Sequence, residues 1–538
     1  MTSVGKVVPG AESPAEAGLR PPQVPTPQAW PVNGRGSLAL LALVLSLQAA
    51  VLCHDITGPF TGLHDWQSAF MSAAGRNHLR YGYTVTRLAV VENADLVRPE
   101  WFQYYTDHPP LVPVLVSWSF RLFGEHEWSA RLVPAVLTLG STILIYLLGT
   151  AQGGTRLGLV AALIFAMVPM NGYFGRMVSH EAPTSFFALA TALAYFVWHR
   201  TRRPIVFAGA LGAFILGALC GWPAYYLGGI LPLHHLATAG REREWKVILL
   251  PLTALMLFAL HLADIFWLQG PAGLGHLGSM FLFRTKLRLS SSLQTLGVTP
   301  AAVTFGWKEF VFKEVGQAAY LFTPMVLVLA ALAVADLVWR KRGGSLSDPL
   351  FAGALLLFGL THVLLFPQAA WQHEYMMFYC SAPLAILAAG GTLSLVRPGA
   401  EPRVLGVLGL VFLLTSLPTT RSLFRLHNQA IVQLAPLVAQ HTRPGEQVIT
   451  NAGGIYGEAP QIGYYAGRDV SYSPVFDSIQ LQIRLDAVPT RPFAVIVAEN
   501  EQGQQELSSW LTGRYPSESA DLLDVRCRIF HVPGRVAS

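Results

Sequence analysis

Residues 131–150 read RLVPAVLTLGSTILIYLLGT and carry no charge after the first position. A helix of about 20 such residues is long enough to cross the roughly 30 Å hydrocarbon core of a bilayer. Comparable apolar runs recur along the chain, so the sequence predicts a mainly α-helical, polytopic transmembrane bundle. About eleven spans are expected, near residues 37–55, 131–150, 157–172, 182–199, 205–220, 222–238, 247–268, 316–338, 350–366, 375–395 and 403–420.

The composition favours the same class of protein. Hydrophobic residues make up 52% of the 538 residues and charged residues only 13%, about half the charged fraction of a soluble domain. Charged side chains are rare in lipid because each costs roughly 2.5–3.5 kcal/mol near the bilayer centre. The four cysteines are scattered without a paired spacing, which predicts neither a zinc site nor a disulfide framework.

The basic residues of the short loops give the orientation. They fall almost entirely on alternate loops, which predicts a cytoplasmic N-terminus. Because these charges mark topology rather than one continuous groove, the net charge of +6 does not indicate a nucleic-acid partner. The expected location is the inner or plasma membrane, with residues 1–36 as a disordered cytoplasmic tail. The basic residues are Arg156, Arg200, Arg202, Arg203, Arg241, Arg243, Lys246, Arg340, Lys341, Arg342, Arg397 and Arg403, against Arg176 on the opposite side.

This orientation leaves three large segments on the non-cytoplasmic side, namely residues 56–130, 269–315 and 421–538. Residues 37–420 form the expected transmembrane domain, whereas residues 421–538 have the composition of a soluble domain. In that tail, short strand patterns alternate with helical patterns, which predicts a small α/β domain outside the cytoplasm. The strand patterns lie near 448–450, 470–472, 493–498 and 528–532, and the helical patterns near 427–441, 477–487 and 503–513.

The first large loop contains the first candidate site residue. Asp65 follows the first span closely, so its carboxylate is expected at the membrane surface. The apolar spacing of residues 68–81 predicts an amphipathic helix that lies on the interface. The alternative is that Asp65 only caps this helix, because aspartate is a favoured N-cap residue.

The same loop contains a second polar pair, Asp107 and His108, immediately before two prolines that fix an extended turn. The apolar run at 111–123 is too short to span and is expected to be a second interfacial helix. The pair is therefore a candidate ligand site, with an ordinary turn as the alternative.

Two shorter loops on this side contain further candidates. Arg176 and Glu181 connect the third and fourth spans, and ionisable residues at that depth are functional candidates. The alternative is an acid that favours the helix dipole beside a snorkelling arginine. His373 and Tyr375 lie between the ninth and tenth spans.

The second large loop contains Arg284 and Arg288, which would share one face of a helix. Such a pair is suited to binding either a phosphate or lipid head groups. No cofactor is predicted; His64, His180 and Glu181 are residue types that bind divalent metals, but a metal is left open.

In this order, the clusters resemble the GT-C superfamily of integral membrane glycosyltransferases, and within it the branch with protein O-mannosyltransferases and the lipid A aminoarabinose transferase. The resemblance extends over residues 37–420, although His108 stands where lysine is common and Glu181 where aspartate is common. It rests on Asp65, the run AGRNHLRYG at 74–82, DHPPL at 107–111, RLVPA at 131–135, Arg176 with Glu181, and His373–Tyr375 followed by Pro383.

The resemblance implies transfer of a hexosyl or pentosyl group from a polyprenyl-phosphate donor to an acceptor hydroxyl, with inversion at the anomeric carbon. Asp65 would be the general base, a role worth roughly 10²–10⁴-fold in rate. Cationic side chains would stabilise the leaving phosphate. The implied substrate-binding residues are Asp107, His108, Arg176, Glu181, His373, Tyr375 and Arg284, with Arg176, His108, His373 and Arg284 as the candidate cations.

Other functions stay open at this point. A multi-pass transporter or flippase for a lipid-linked glycan is the main alternative, and a non-catalytic receptor is a second. A third is an oligosaccharide-transferring enzyme of the same superfamily, which moves a preassembled glycan. A transporter favours charges within its spans and repeated halves, whereas here the ionisable residues gather at one end of the spans. The expected partners are membrane lipid, the polyprenyl-phosphate sugar and a glycan, lipid or protein acceptor, which residues 421–538 are placed to select.

Overall fold

The computed structural model describes residues 34–240, 243–286, 305–339, 346–396, 401–450, 459–472, 477–498, 504–523 and 525–535. Most of the expected N-terminal tail therefore lies outside the described residues, as does Arg288. The described part is a helical bundle followed by a domain that contains a β-sheet.

The helices of the first half of the chain follow one another with short connections. Trp245–Ile248 is a 3₁₀ turn that leads into the ninth helix. These helices are α1 Gly34–Leu52, α2 Trp66–Tyr81, α3 Leu111–Phe123, α4 Glu127–Met167, α5 Pro169–Phe174, α6 Glu181–Thr201, α7 Pro204–Cys220, α8 Ala224–Thr238 and α9 Leu249–Arg284.

The second half of the bundle contains a sharp bend and a 3₁₀ segment at Glu374–Cys380. The bend, of 106°, separates α10 from α11. The helices are α10 Trp307–Phe322, α11 Pro324–Trp339, α12 Pro349–Leu365, α13 Pro367–Gln372, α14 Ser381–Leu395 and α15 Glu401–Phe424.

The main apolar core lies where α4, α6, α12 and α14 meet. Phe165, Trp198 and Phe351 are fully buried in it. Helix α14 approaches α11 closely at Gly391, where an added Cβ would collide with the backbone carbonyl of Leu329. The core of the bundle therefore depends on large side chains and on close backbone contacts such as this one.

Helices that are long and apolar enough to cross a membrane number five within the described residues, or six if the bent pair α10–α11 is one span. The expected count of eleven is not confirmed. Several expected spans are helices of 15–17 residues, such as α7, α8 and α12. The run expected at 157–172 belongs largely to α4, which has a break at Gly153 and Gly154.

The first loop differs from the expected interfacial arrangement. Helix α2 is present, but residues 67–69 and 71–78 are all buried, because α2 packs against α3 on one side and the C-terminal domain on another. A short antiparallel pair, β1 Val90–Val91 and β2 Tyr104–Tyr105, closes the same loop. The loop is thus a packed layer between the bundle and the C-terminal domain.

The C-terminal domain contains a five-stranded sheet in the order β4-β3-β5-β7-β6. Strand β3 pairs in parallel with β4 and β5, whereas β7 pairs antiparallel with β5 and β6. The elements are α16 Ala430–Gln440, β3 Gln447–Thr450, α17 Ala459–Ala466, β4 Asp469–Tyr472, α18 Ser478–Ala487, β5 Phe493–Ala498, α19 Gln504–Thr512, β6 Ser517–Leu522 and β7 Val525–Val532.

Alternation along β5 gives this sheet two buried faces. Ala494 and Ile496 pack in the apolar cluster that contains α16 and α17, whereas Val495 and Val497 pack in the cluster that contains α18 and α19. Strand β6, which the sequence did not suggest, has mostly exposed side chains and lies at the sheet edge.

Candidate functional site

The Asp65 carboxylate is buried directly before α2 and is bonded on both oxygens. Its Oδ2 accepts hydrogen bonds from the Gly62 backbone N–H and the Arg131 Nη2, both at 3.1 Å. Its Oδ1 accepts one from the Ser68 hydroxyl at 2.8 Å. The side chain makes no capping bond to the amides of α2, so its main partner is an arginine rather than a helix end.

Arg131 is itself fixed in place. Its side chain is 2% exposed, and it donates to the backbone carbonyls of Ile56, Gly58 and Pro59. The face of its guanidinium lies 4.7 Å from the centroid of the Phe60 ring. In the sequence, Arg131 is noted only as the first residue of the RLVPA motif at 131–135, and its pairing with Asp65 was not predicted.

His64, the residue before Asp65, contacts two of the predicted site residues. The His64 Nε2 lies 2.6 Å from the Glu374 carboxylate. The His64 ring makes edge contacts with His373 and Tyr375, at centroid distances of 5.4 Å and 5.1 Å. The predicted residues at 373 and 375 are therefore neighbours of the Asp65 loop, 310 positions away from it along the chain.

His373 does not supply the positive charge expected of it. Burial lowers its pKa to about 3, and the neighbouring His64 lowers the pKa further than Glu374 can raise it. The imidazole is therefore neutral at physiological pH. His373 is therefore not the expected cation. It is a neutral ring that stacks on Tyr375 at a centroid distance of 5.0 Å.

The loop before α6 carries Glu181 to the same region. The Val178 backbone N–H donates to the Ser68 hydroxyl at 3.1 Å, and that hydroxyl donates to Asp65. Glu181 is buried, and its Oε2 has no hydrogen-bond partner among the described residues. Burial raises the pKa of Glu181 to about 7, so the unpartnered oxygen can accept a hydrogen bond from a ligand hydroxyl or, when protonated, donate one.

Arg176 is a buried cation rather than a snorkelling one. Its guanidinium donates to the backbone carbonyl of His54 and lies 4.6 Å from the centroid of the Phe424 ring. Burial, followed by the nearby Arg131, lowers its pKa to about 10. The side chain is still charged at neutral pH, and it contributes positive potential near Asp65.

A second cluster surrounds Asp107. Its carboxylate pairs with the Arg284 Nη2 at 3.1 Å and with the His276 Nε2 at 3.2 Å, both from α9. Asp107 is almost fully buried, whereas the Arg284 side chain is 28% exposed and remains accessible. His276 was not predicted, because it is an isolated histidine in the loop expected at 269–315, whereas in the structure α9 continues through it to Arg284.

His108 is enclosed between two rings. It stacks on Tyr105 and on His180, at centroid distances of 5.8 Å and 4.3 Å, and its Nδ1 lies 2.7 Å from the Tyr105 hydroxyl. Burial lowers the pKa of His108 well below its usual range. The expectation of a cationic His108 is therefore corrected, and Arg284 is the accessible predicted cation of this cluster.

The two clusters are neighbours. His180, which directly precedes Glu181 of the Asp65 cluster, stacks on His108 of the Asp107 cluster at a centroid distance of 4.3 Å, and Tyr375 contacts the His64 ring. The predicted residues of four separate segments thus meet in one region. Among the described residues, no three His, Cys, Asp or Glu side chains form a metal-binding group, so His64, His180 and Glu181 do not form one.

Two adjoining cavities of about 520 and 490 Å³ open beside the Asp107 cluster. Both are lined by Glu92, Tyr104 and Gln269, and the second also reaches His276. Burial raises the pKa of Glu92 to about 7, and the nearby carboxylates of Asp469 and Asp107 add to the increase. Glu92 was not predicted, since it lies in an irregular segment without a motif.

Comparison with known proteins gives a family match over part of the chain and a shared fold. Residues 107–267 match the sequence profile of the dolichyl-phosphate-mannose-protein mannosyltransferase family. An uncharacterized protein of Aquifex aeolicus (strain VF5) is 27% identical over 139 residues, which are 25% of this chain and 28% of that protein. The chain thus matches well under two thirds of this curated relative.

Two solved structures share the fold at low sequence identity. ArnT from Cupriavidus metallidurans, bound to undecaprenyl phosphate, superposes with a TM-score of 0.62 at 14% identity, covering 93% of this chain and 98% of ArnT. The oligosaccharyltransferase of Archaeoglobus fulgidus in the apo form gives 0.54 at 11% identity, covering 91% and 73%. These matches confirm the resemblance to the GT-C superfamily, and the chain is an integral membrane protein with the GT-C fold.

Proposed function

We propose that this protein is a glycosyltransferase that moves one hexosyl or pentosyl group from a polyprenyl-phosphate donor to an acceptor hydroxyl, with Asp65 as the base. The observation that carries the proposal is the Asp65 carboxylate, oriented by three donors next to a region with an accessible arginine. The family match at residues 107–267 and the GT-C fold support the same class of reaction.

The reaction follows from the chemistry of a weak nucleophile and an anionic leaving group. Asp65 removes the proton of the acceptor hydroxyl as its oxygen bonds to the anomeric carbon. The bond between that carbon and the phosphate oxygen breaks, and the electron pair leaves with the prenyl phosphate. A single displacement inverts the anomeric configuration. A positioned carboxylate accelerates such a step by roughly 10²–10⁴-fold.

Arg284 is the residue proposed to bind the departing phosphate. Its side chain is the more exposed partner of the pair with Asp107, and a guanidinium can bind a phosphate through two hydrogen bonds. Arg176 is buried and adds positive potential without direct contact. Glu181 and Tyr375 are proposed to bind sugar hydroxyls, since one Glu181 oxygen lacks a partner among the described residues.

The donor is proposed by analogy with ArnT, whose structure contains undecaprenyl phosphate. The acceptor is a hydroxyl of a glycan, lipid or protein. The loop asymmetry of the sequence supports a cytoplasmic N-terminus, which would place Asp65 and residues 421–538 on the non-cytoplasmic side of the inner or plasma membrane.

The test is sugar transfer in membranes that contain the full chain, supplied with a panel of prenyl-phosphate donors that carry radiolabelled sugars. Asp65→Asn should reduce transfer by about 10²-fold or more, without loss of donor binding. Asp55→Asn is the matched control, because Asp55 is an exposed aspartate of the same loop and should transfer at the parental rate.

Asparagine at 65 leaves the buried Arg131 without a counter-charge, which costs about 3–5 kcal/mol and threatens folding. The double variant Asp65→Asn/Arg131→Gln removes both charges, and its thermal unfolding in detergent shows whether it is folded. A folded double variant that transfers sugar as fast as the parent would exclude Asp65 as the base.

A further inference from the structure

The C-terminal domain contacts the first loop immediately before Asp65. The Phe60 backbone N–H donates to the Tyr465 hydroxyl at 2.7 Å, and the Gln461 amide donates to the Phe60 carbonyl at 2.9 Å. Both side chains belong to α17. One residue further on, the Asn428 backbone N–H donates to the Thr61 carbonyl at 2.8 Å.

These bonds hold the part of the loop that itself holds the carboxylate. Residue 62 forms a bridge to His427 and donates its N–H to Asp65. A second connection runs through side chains, because the Phe60 ring contacts the guanidinium of Arg131. The Gly62 N–H and the Arg131 side chain, which both donate to Asp65, therefore depend on the position of Phe60.

We infer that Tyr465 and Gln461 are positioning residues for the Asp65 carboxylate, so that the C-terminal domain is part of the catalytic unit. The inference rests on the proposed function of Asp65. The Tyr465 hydroxyl is well suited to this role because it also donates to Glu127, the first residue of α4, at 3.0 Å. One hydroxyl thus connects the domain, the loop and the bundle.

The size of the effect follows from the geometry of proton transfer. A general base acts only within hydrogen-bond reach of the proton that it removes, and a displacement of about 1 Å caused by a remote mutation can reduce a rate by about 10²-fold. The Tyr465→Phe variant keeps the ring and removes both hydrogen bonds. It should therefore lower kcat by about 10–100-fold and leave the KM for the donor within about twofold.

The adjacent tyrosine gives a matched control. Tyr464 is buried, and its hydroxyl makes no hydrogen bond to any other described residue, although its ring contacts Phe60 and Arg76. Tyr464→Phe should therefore keep the parental kcat. Gln461→Ala is a second test variant that acts on the same backbone segment through a different atom.

The experiment measures transfer per folded molecule for the full-length variants, with folding followed by thermal unfolding in detergent. A lower kcat at an unchanged KM in Tyr465→Phe and Gln461→Ala, with unfolding temperatures close to the parent, supports the inference. A merely structural role would change the yield or the unfolding temperature but not kcat per folded molecule, and that outcome would overturn it. Full activity of the folded double variant Asp65→Asn/Arg131→Gln would instead refute the proposed base.

Discussion

Replacing Asp469 by asparagine should loosen the contact between the C-terminal domain and the first loop. The Asp469 carboxylate accepts hydrogen bonds from the Asn93 side chain at 2.7 Å and from the Asp95 backbone N–H at 3.1 Å. It also pairs with Arg491, whose side chain is 1% exposed. Asparagine keeps the shape of the side chain but leaves this buried guanidinium without a counter-charge.

The expected magnitude comes from that unpaired charge. Removing one partner of a buried ion pair costs about 3–5 kcal/mol. Arg491 belongs to the same domain as Asp469, so this cost is relieved only in open states that expose its guanidinium to water. At about 1.4 kcal/mol for each factor of ten, the population of such open states, in which the first loop has moved away, rises roughly 10²–10³-fold. Limited proteolysis of the purified protein in detergent measures this population, because the cleavage rate follows it when opening and closing are fast.

An exposed ion pair of the same domain provides the control. Asp486 and Arg535 are 2.9 Å apart, with side chains 47% and 66% exposed, and a surface pair of this kind contributes about 0–1 kcal/mol. Asp486→Asn should therefore speed cleavage by less than about fivefold. The reasoning is refuted if Asp469→Asn speeds cleavage no more than Asp486→Asn does.

Two further predictions concern the site itself. Gly62→Ala should lower sugar transfer about tenfold or more, because the added carbon would lie 2.5 Å from the Tyr173 hydroxyl and 3.1 Å from the Asp65 carboxylate, so the backbone that donates to Asp65 must shift; Gly209→Ala, where nothing lies within 4 Å, should not. Thermal stability measured from pH 4 to 8 should fall as pH rises from about 4.5 to about 7, because folded Glu92 keeps its proton up to about pH 7 whereas the unfolded chain releases it near 4.5. Glu92→Gln should reduce that fall by the share of Glu92, since burial also raises the pKa of Glu181 to about 7. Glu100→Gln, on the same cavity wall, should leave the fall as in the parent, and equal profiles for both variants would exclude Glu92 as a contributor.

The apolar segments and the strand patterns could be read from the sequence because both are local properties. Strand β5 at 493–498 coincides with its expected range, since a run of small and branched apolar residues is a strong strand pattern. The number of spans could not be read in this way. Hydropathy does not distinguish helices that face lipid from helices that face protein, and 89% of the apolar window in 374–395 is buried whereas only 11% of that in 245–284 is.

The candidate residues were found by residue type, and residue type alone gave the wrong charge for His108 and His373. A histidine is a cation only if its surroundings allow it, and burial lowers the pKa of both below physiological pH. The sequence also does not show which side chains form ion pairs. Asp65 and Arg131 are 66 positions apart, and no local pattern indicates which carboxylate a buried arginine will meet.

The partners of Asp65 also explain why the site needs every layer of the molecule. Its three donors come from three segments, and each segment is held by a different neighbour: Gly62 by the C-terminal domain, Ser68 by the Val178 amide, and Arg131 by the carbonyls of residues 56, 58 and 59. A carboxylate with only one of these donors could rotate away from the acceptor, because a single hydrogen bond does not fix both oxygens. The proposed base can therefore be oriented only when bundle, loop and sheet domain are packed together. On this argument the C-terminal domain is required for the rate of transfer itself, whatever part it also has in selecting the acceptor.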